Sequence, residues 1–483
     1  MNYLGIDLGT SGVKGVLFDK DGNIIDSYLV EYDIISLKDG YAEEDPIVWF
    51  NSTIEVLKYF GKKKYEIKGI GISGQMHGLV ILDKNDKPLR NSIIWCDNRT
   101  DFEKQLIEKD LGFDECKKIT GNIPMSAFTL SKLLWVKNNE LDIYNKIDKI
   151  MLPKDYISFM LTGDFLSEYS DLSGTQLLDI NKKDYSIEIL NKYNIDKNKL
   201  PKIINSYDIR GYIKKDIENI TGLNNVYVVG GAADQAASAI GSGIINSNAI
   251  SISLGSSGVI FNPCDDLKIY PKGELQTFIA GDNKYYNMGC TNGFGTSLKW
   301  LRDQQFNMKY DEMTHLAEKI DCGSNNLYFL PYLLGERTPI LDNDAKGVYF
   351  GIKNTTTKGH MIRALMEGVG YSIKDSYNML DKKIDYAIIS GGGAKSKLYK
   401  EIIASMLNLE LKETQSETGA LGAAILAMVG GGEYKNISEA INNIVKYDNS
   451  TKPIKDWTII YNNGYKIYKE IYNSTKHIFK EIK

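Results

Sequence analysis

Cysteine is scarce in this chain: five residues in 483, scattered at Cys96, Cys116, Cys264, Cys290 and Cys322. No C-x-x-C pair occurs, so a disulfide framework and a zinc ligand set are both disfavoured. No apolar run reaches the roughly 18 residues of a spanning helix. The opening MNYLGIDLG puts no basic region ahead of an apolar core, and a cytoplasmic protein is expected. Basic and acidic residues number 58 and 62, for a net charge of −4 with no long basic block. Nucleic acid and anionic membranes are therefore not expected as partners. Two nucleotide and metal signatures are missing as well. H-E-x-x-H does not occur, and residues 391–396 (GGGAKS) miss the P-loop because Ala394 stands where a glycine must precede the lysine.

What the chain does have is one phrase written twice, about half its length apart. The first copy is Asp7-Leu8-Gly9-Thr10-Ser11-Gly12-Val13 and the second is Ser253-Leu254-Gly255-Ser256-Ser257-Gly258-Val259. Each follows an apolar, β-prone run and is rich in glycine and hydroxyls. A tight turn of this composition can wrap its backbone N–H groups around phosphate oxygens. Only the first copy carries a carboxylate. Asp7 at a strand end can hold Mg²⁺ directly or through water, or simply satisfy the turn's own N–H groups. Ser253 in the other copy argues that the turn alone does not require an acid.

A second pair of glycine clusters closes each copy: residues 228–234 (VVGGAAD) and 388–394 (IISGGGA). Taken as equivalent, they give the first half the longer interval and assign substrate recognition to it. Asp234 ends the first cluster at a helix start, among small residues that leave room for a ligand. It can orient a hydroxyl nucleophile or cap the helix. Residues 241–247 suggest a hinge, and residues 461–482 an amphipathic helix packed on a domain. Gly69-x-Gly71-x-x-Gly74 matches the dinucleotide fingerprint in form only, because a strand at residues 79–82 follows where a helix is required. His77, with Gln75 and Met76 between Gly74 and Gly78, offers polar groups above an apolar shelf suited to a sugar. His315, His360 and His477 default to surface or packing roles. Residues 95–99 (WCDNR) read as a sugar contact or a buried ion pair, and Glu336–Arg337 as a salt bridge near the domain interface.

Together these features resemble the FGGY carbohydrate kinases. The matching segments are residues 5–14 (GIDLGTSGVK), 74–78 (GQMHG), 132–136 (KLLWV), 152–156 (LPKDY), 170–175 (SDLSGT), 329–339 (FLPYLLGERTP), 346–351 (KGVYFG) and 391–394 (GGGA). They run in order along nearly the whole chain. The resemblance implies an α/β fold of two actin-like, ribonuclease-H-like domains, residues 1–245 and 246–483, with a catalytic cleft between them. It implies ATP-dependent phosphorylation of a sugar, D-xylulose to its 5-phosphate being the expected reaction. Gluconate, ribulose or another polyol is the nearest alternative acceptor. An actin-like nucleotide switch without sugar kinase activity is the reading from another class. By resemblance Asp234 is the base, Asp7 the acid for Mg²⁺–ATP, and Met76 and His77 touch the sugar together with Asp234. Thr10, Ser11 and Ser256 lie in the phosphate turns, while Gly295, Gly393 and Ala394 lie on the nucleotide side. A homodimer is left open. Cys96, Ala127, Ala233 and Gln235 depart from residues common in the family, and Ser256 keeps a hydroxyl where threonine is commoner.

Overall fold

The computed structural model describes residues 1–245, 248–414 and 417–482. Among them, no helix is long and apolar enough to cross a membrane. The first sheet is built from β1 (Asn2–Gly9), β2 (Gly12–Asp19), β3 (Ile24–Glu31), β4 (Ile67–Gly74), β5 (Ile209–Tyr212), β6 (Tyr227–Val229) and the short β7 (Ala232–Ala233). Its order is β5-β6-β4-β1-β2-β3, with β7 beside β4. The second sheet takes β8 (Ala249–Leu254), β9 (Gly258–Cys264), β10 (Gln276–Ile279), β11 (Tyr285–Thr291), β12 (Tyr386–Ser390), β13 (Glu410–Thr414) and β14 (Tyr447–Thr451), in the order β10-β11-β9-β8-β12-β13-β14.

The two sheets repeat one path. In the first, β1, β2 and β3 form an antiparallel meander, and β4 then β6 add in parallel on the other side of β1. In the second, β8, β9 and β11 form the meander, and β12 then β13 add in parallel beside β8. This is the duplicated actin-like topology that the resemblance implied.

The topology corrects one expectation. Residues 388–394 were expected to match residues 228–234, but β12 occupies beside β8 the place that β4 occupies beside β1. Residues 391–394 therefore correspond to residues 74–77, and β13 corresponds to β6. Both halves carry a large insertion: residues 75–226 between β4 and β6, and residues 292–385 between β11 and β12. A small-residue turn after a buried strand is a local signature. Which strand it follows in the sheet is not.

Strand alternation decides what reaches the cleft. On β1, Leu4, Ile6 and Leu8 face one way and pack with Trp49, Val56, Leu57 and Phe60 of α1 (Pro46–Lys62). Tyr3, Gly5 and Asp7 face the other. On the first half, α2 (Pro153–Thr162) carries Lys154 and Asp155, and α3 (Asp234–Gly241) opens with Asp234. From the second half come α4 (Lys358–Tyr377), α5 (Thr418–Gly430) and α6 (Lys455–Phe479). The last is the expected tail helix, with Tyr461 and Tyr468 buried on the second core.

Helix α5 crosses over and lies on the first sheet. A Cβ at Gly5 would strike the Ala420 carbonyl, and one at Gly71 the Ala423 carbonyl. Gly71 thus lies on the strand face beneath a helix and Gly69 against the Tyr227 ring, and neither belongs to a dinucleotide loop. The same helix crosses α3 backbone to backbone: a Cβ at Gly422 would strike the Ala237 carbonyl, and one at Gly241 the Thr418 carbonyl. Ala236, Ala237, Ile240, Ala420, Leu421 and Ala424 join one apolar core with Tyr286 and Ile388 of the second sheet. The expected hinge begins at the end of α3, and its residues 246 and 247 lie outside the described residues.

Gly422→Val should therefore cost about 1–3 kcal/mol or more, because overpacking against backbone cannot relax by a rotamer change. Urea unfolding checks this against Gly392→Ala, whose new Cβ would meet nothing within 4 Å. Equal midpoints for the two variants would contradict the helix contact.

Candidate active site

Asp7 and Asp234 reach one cleft from different elements. Asp7 stands next to the last residue but one of β1, on the α5 face, and an ideal Cβ on Gly419 would lie 3.2 Å from its Oδ2. Asp234 opens α3, with Oδ1 accepting the Gln235 N–H at 2.7 Å. Burial lifts the Asp234 carboxyl from 3.8 to about 6, the Asp7 charge adds to the rise, and the Gln235 N–H opposes it. Burial also raises Asp7; the Ser73 hydroxyl and Lys14 pull it down, and Glu417 pushes it up. Lys14 and Glu417 themselves pair at 2.5 Å across the two halves.

The first turn is a two-residue hairpin, with Gly9 paired to Gly12 and Thr10-Ser11 at the tip. The Trp95 indole N–H donates to the Thr10 hydroxyl at 3.2 Å. The second turn pairs Leu254 with Gly258 and leaves Gly255, Ser256 and Ser257 between them. Its carbonyls are already held: Gly295 N–H donates to Gly255 O at 3.2 Å, and Thr296 N–H to Ser256 O at 3.2 Å. A Cβ at Gly295 would come 2.5 Å from Gly255 O, so the helix that starts there can approach only through glycine. Gly393 packs on Phe294 and Leu254 at the same end of β8, and Ala394 is buried behind it. The four segments that were expected to surround a nucleotide thus form two groups: Thr10 and Ser11 on the first sheet, and Ser256, Gly295, Gly393 and Ala394 together on the second.

Met76 and His77 line a shelf built from both halves. His77 adopts φ +69°, a conformation that costs a non-glycine residue about 1–3 kcal/mol. Its carbonyl is fixed by Lys132 Nζ at 2.8 Å and the Thr129 hydroxyl at 3.2 Å. Its Nδ1 lies 2.7 Å from Gly174 O. A carbonyl can only accept, so Nδ1 carries the proton and Nε2 keeps a lone pair. Burial, with help from Lys132 and Arg337, pulls the imidazole down to about 3, so it is neutral at pH 7. The ring lies 4.6 Å from the Phe128 ring and 6.0 Å from that of Phe278. A Cβ at Gly174 would sit 2.7 Å from the imidazole and 3.0 Å from Met76, which explains the glycine in the SDLSGT segment. Lys132 also donates to Ala127 O at 2.6 Å, and burial draws its amine down to about 7. Gln75 turns away from the shelf, its amide donating to Glu44 at 2.9 Å.

Beneath Asp234 lies a fully buried charge lattice. Lys154 Nζ sits 2.7 Å from Asp155, 3.5 Å from Glu168 and 3.6 Å from Asp171, and Arg210 lies 3.6 Å from Asp155. Glu168 also accepts the Ser170 hydroxyl at 2.9 Å, and the Ser170 oxygen accepts the Ala233 N–H at 3.0 Å. The backbone next to Asp234 is thereby tied to the lattice.

One residue escaped the sequence reading, one segment divides between its two readings, and one expected ion pair is absent. Tyr286 on β11 is buried, and its hydroxyl lies 3.9 Å from Met76 Sδ. Nothing in the alternating pattern of β11 singles it out. Residues 95–99 divide: Arg99 pairs with Asp97 at 2.7 Å and Glu43 at 2.6 Å as a structural network, while Trp95 faces the first turn. Glu336 and Arg337 form no salt bridge. The Glu336 carboxylate accepts backbone N–H groups instead, because it is buried and Arg337 is exposed.

The electrostatics make a direct prediction. A ¹³C titration of the Asp234 carboxyl should give a midpoint of about 6. Asp7→Asn should lower it, since a negative neighbour that favoured the proton is gone. A midpoint at the ordinary 3.8, unmoved by that substitution, would contradict the geometry. Residues 2–241 match the N-terminal domain of the FGGY family of carbohydrate kinases, and residues 250–431 match its C-terminal domain. The xylulose kinase of Staphylococcus xylosus is 36% identical over 480 residues, spanning 97% of this chain and 99% of that protein. The xylulose kinase of Lactococcus lactis is 38% identical over 501 residues, spanning 100% and 99%. Two solved structures from Lactobacillus acidophilus, a gluconate kinase and a ligand-bound xylulose kinase, each align with TM-score 0.95 at 29% identity over 100% of this chain and 99% and 100% of theirs. The chain belongs to the FGGY family of carbohydrate kinases.

Proposed function

We propose that this enzyme transfers the γ-phosphoryl group of ATP to D-xylulose, giving D-xylulose 5-phosphate and ADP, with Asp234 as the base. The observation that carries this reading is the buried Asp234 carboxyl at the start of α3, lifted to about 6 by burial and by the Asp7 charge at the end of β1. Xylulose kinases at 35–38% identity support the acceptor. The fold by itself does not choose, since a gluconate kinase superposes as well as a xylulose kinase does.

At pH 7 a carboxyl titrating near 6 is about nine-tenths ionised. It is also a stronger base than an ordinary aspartate. The acceptor hydroxyl gives its proton to Asp234 as its oxygen bonds to the γ-phosphorus, and the β–γ bridging bond breaks to release ADP. A loose transition state asks the base for orientation more than for full deprotonation. His77 Nε2 accepts a hydrogen bond from a sugar hydroxyl, and Met76 packs on the carbon skeleton. Thr10, Ser11 and Ser256 hold phosphate oxygens. Gly295, Gly393 and Ala394 border the nucleotide.

A magnesium ion fits the residues present. The Asp7 charge raises the proton affinity of Asp234, a repulsion that a cation relieves. Among the described residues no group of three or more metal-capable side chains exists. Mg²⁺ suits that sparse set, because it binds through one or two carboxylates plus phosphate oxygens and water. Asp7 would hold it, and it would neutralise phosphate charge. We take residues 1–245 as the sugar domain and residues 246–483 as the nucleotide domain. A cytoplasmic setting accords with ATP as co-substrate.

A coupled ADP-release assay over xylulose, ribulose and gluconate tests this. Xylulose should be preferred, and gluconate preferred over xylulose would overturn the acceptor. Asp234→Ala should lower kcat by about 10²–10⁴-fold with the fold intact. For the wild type, kcat/KM should fall as pH drops through about 6, because the protonated carboxyl cannot accept the hydroxyl proton. Near-normal kcat in Asp234→Ala would sink the base assignment.

A further inference from the structure

Residues 335–338 are pinned to the end of β11. The Glu336 carboxylate accepts the Asn292 N–H at 2.8 Å, the Arg337 N–H at 2.7 Å and the Ser372 hydroxyl at 3.0 Å. Thr338 N–H donates to Cys290 O at 3.1 Å, its hydroxyl donates to the same oxygen at 2.8 Å, and it receives the Cys290 N–H. Glu336 and Thr338 are buried, whereas the residue between them is exposed. The loop spends all its anchoring groups on holding one guanidinium out.

That guanidinium is uncommitted. The chain has six arginines. Arg90 and Arg99 pair with Glu43, Arg210 with Asp155, Arg302 with Asp303 and Arg363 with Glu367. Arg337 has no carboxylate partner among the described residues; its side-chain neighbour is Cys290 Sγ, 3.9 Å from Nη1. The position is informative on two sides. Cys290 lies opposite Val259 in the β9–β11 ladder, two residues past Ser257 of the second turn. On the other side, the Arg337 charge reaches His77 across the cleft. Arg337 stands between the turn that was assigned phosphate and the shelf that was assigned sugar.

We propose that Arg337 contacts the transferred phosphoryl group, donating its planar fork of N–H groups to the phosphoryl oxygens as they pass from nucleotide to acceptor. This rests on the kinase reading above. In the step, the acceptor proton goes to Asp234, the new O–P bond forms, the bridging O–P bond breaks and its electron pair leaves with ADP. Negative charge is redistributed over the passing group, and a guanidinium fixed beside it stabilises that charge. Lysine offers a point charge without the two-pronged geometry.

The test compares wild type with Arg337→Ala and Arg337→Lys in initial-rate kinetics, using xylulose, ribulose, gluconate and water as acceptors. Arg337→Ala should lose about a hundredfold or more in kcat, as removal of one preorganised donor does. KM for sugar and for ATP should change little, the far-ultraviolet circular dichroism should be unchanged, and millimolar guanidinium ion should restore part of the rate. Arg337→Lys should stay well below wild type. A kcat for Arg337→Ala near that of wild type, or a rise in KM alone, overturns the proposal. Absence of sugar-dependent ADP release in the wild type would defeat the kinase reading instead, and the Arg337 proposal would then be judged by the same comparison on ATP hydrolysis with water.

Discussion

Where α3 and α5 cross, there is no side chain between the two backbones. Gly241 and Gly422 let them touch, and Gly5 and Gly71 let α5 settle onto the first sheet. The consequence is positional. Helix α3 begins with Asp234, and α5 begins beside Asp7. The start of α5, beside Asp7, is thus held against the end of α3, the helix that Asp234 opens, and both carboxylates depend on that one packed crossing. A larger residue at the crossing would separate the helices and the acids together. The two turns follow from the same arrangement, since β1 and β8 are the equivalent first strands of the two sheets.

Electrostatics beneath the site obey a balance. Taking an ion out of water costs several kcal/mol even after relaxation, so buried charges need partners. Lys154 and Arg210 face Asp155, Glu168 and Asp171, two cations against three acids. Burial pushes Asp171 well up, and the neighbouring acids add to this against Lys154. Asp234 sits above this floor, where burial and Asp7 raise its proton affinity without a lysine or arginine to lower it. In the free protein, burial and the Asp7 charge thus give Asp234 more than the ordinary basicity of an aspartate. Lys132 does the complementary work nearby, spending its amine on two backbone carbonyls so that His77 keeps a left-handed backbone.

Much of this was legible in the sequence because it is local. The duplicated turns, Asp7 after an apolar run and Asp234 after four small residues each state their chemistry within a few positions. The GQMHG segment announced a polar shelf for the same reason. What was not legible depends on partners distant in the chain. The equivalence of residues 388–394 was misread because strand order is set by pairing, and pairing is invisible in spacing. Gly69 and Gly71 imitated a nucleotide loop because the Tyr227 ring and a helix some 350 residues away need the same absence of a Cβ. Glu336 and Arg337 look like an ion pair when adjacent in sequence, yet burial separates them. Tyr286 gave no sign at all, since a tyrosine in a β-strand is ordinary until its neighbours are known.

The central claim is that the first half presents the acceptor to Asp234 while the two turns hold the phosphates between the halves. A crystal structure with D-xylulose and a non-hydrolysable ATP analogue measures this most directly. The account predicts the acceptor hydroxyl within hydrogen-bond distance of Asp234, and the γ-phosphate between the Thr10–Ser11 tip and the Ser256 turn. A sugar bound away from Asp234, or phosphates contacting only one of the two turns, would contradict it.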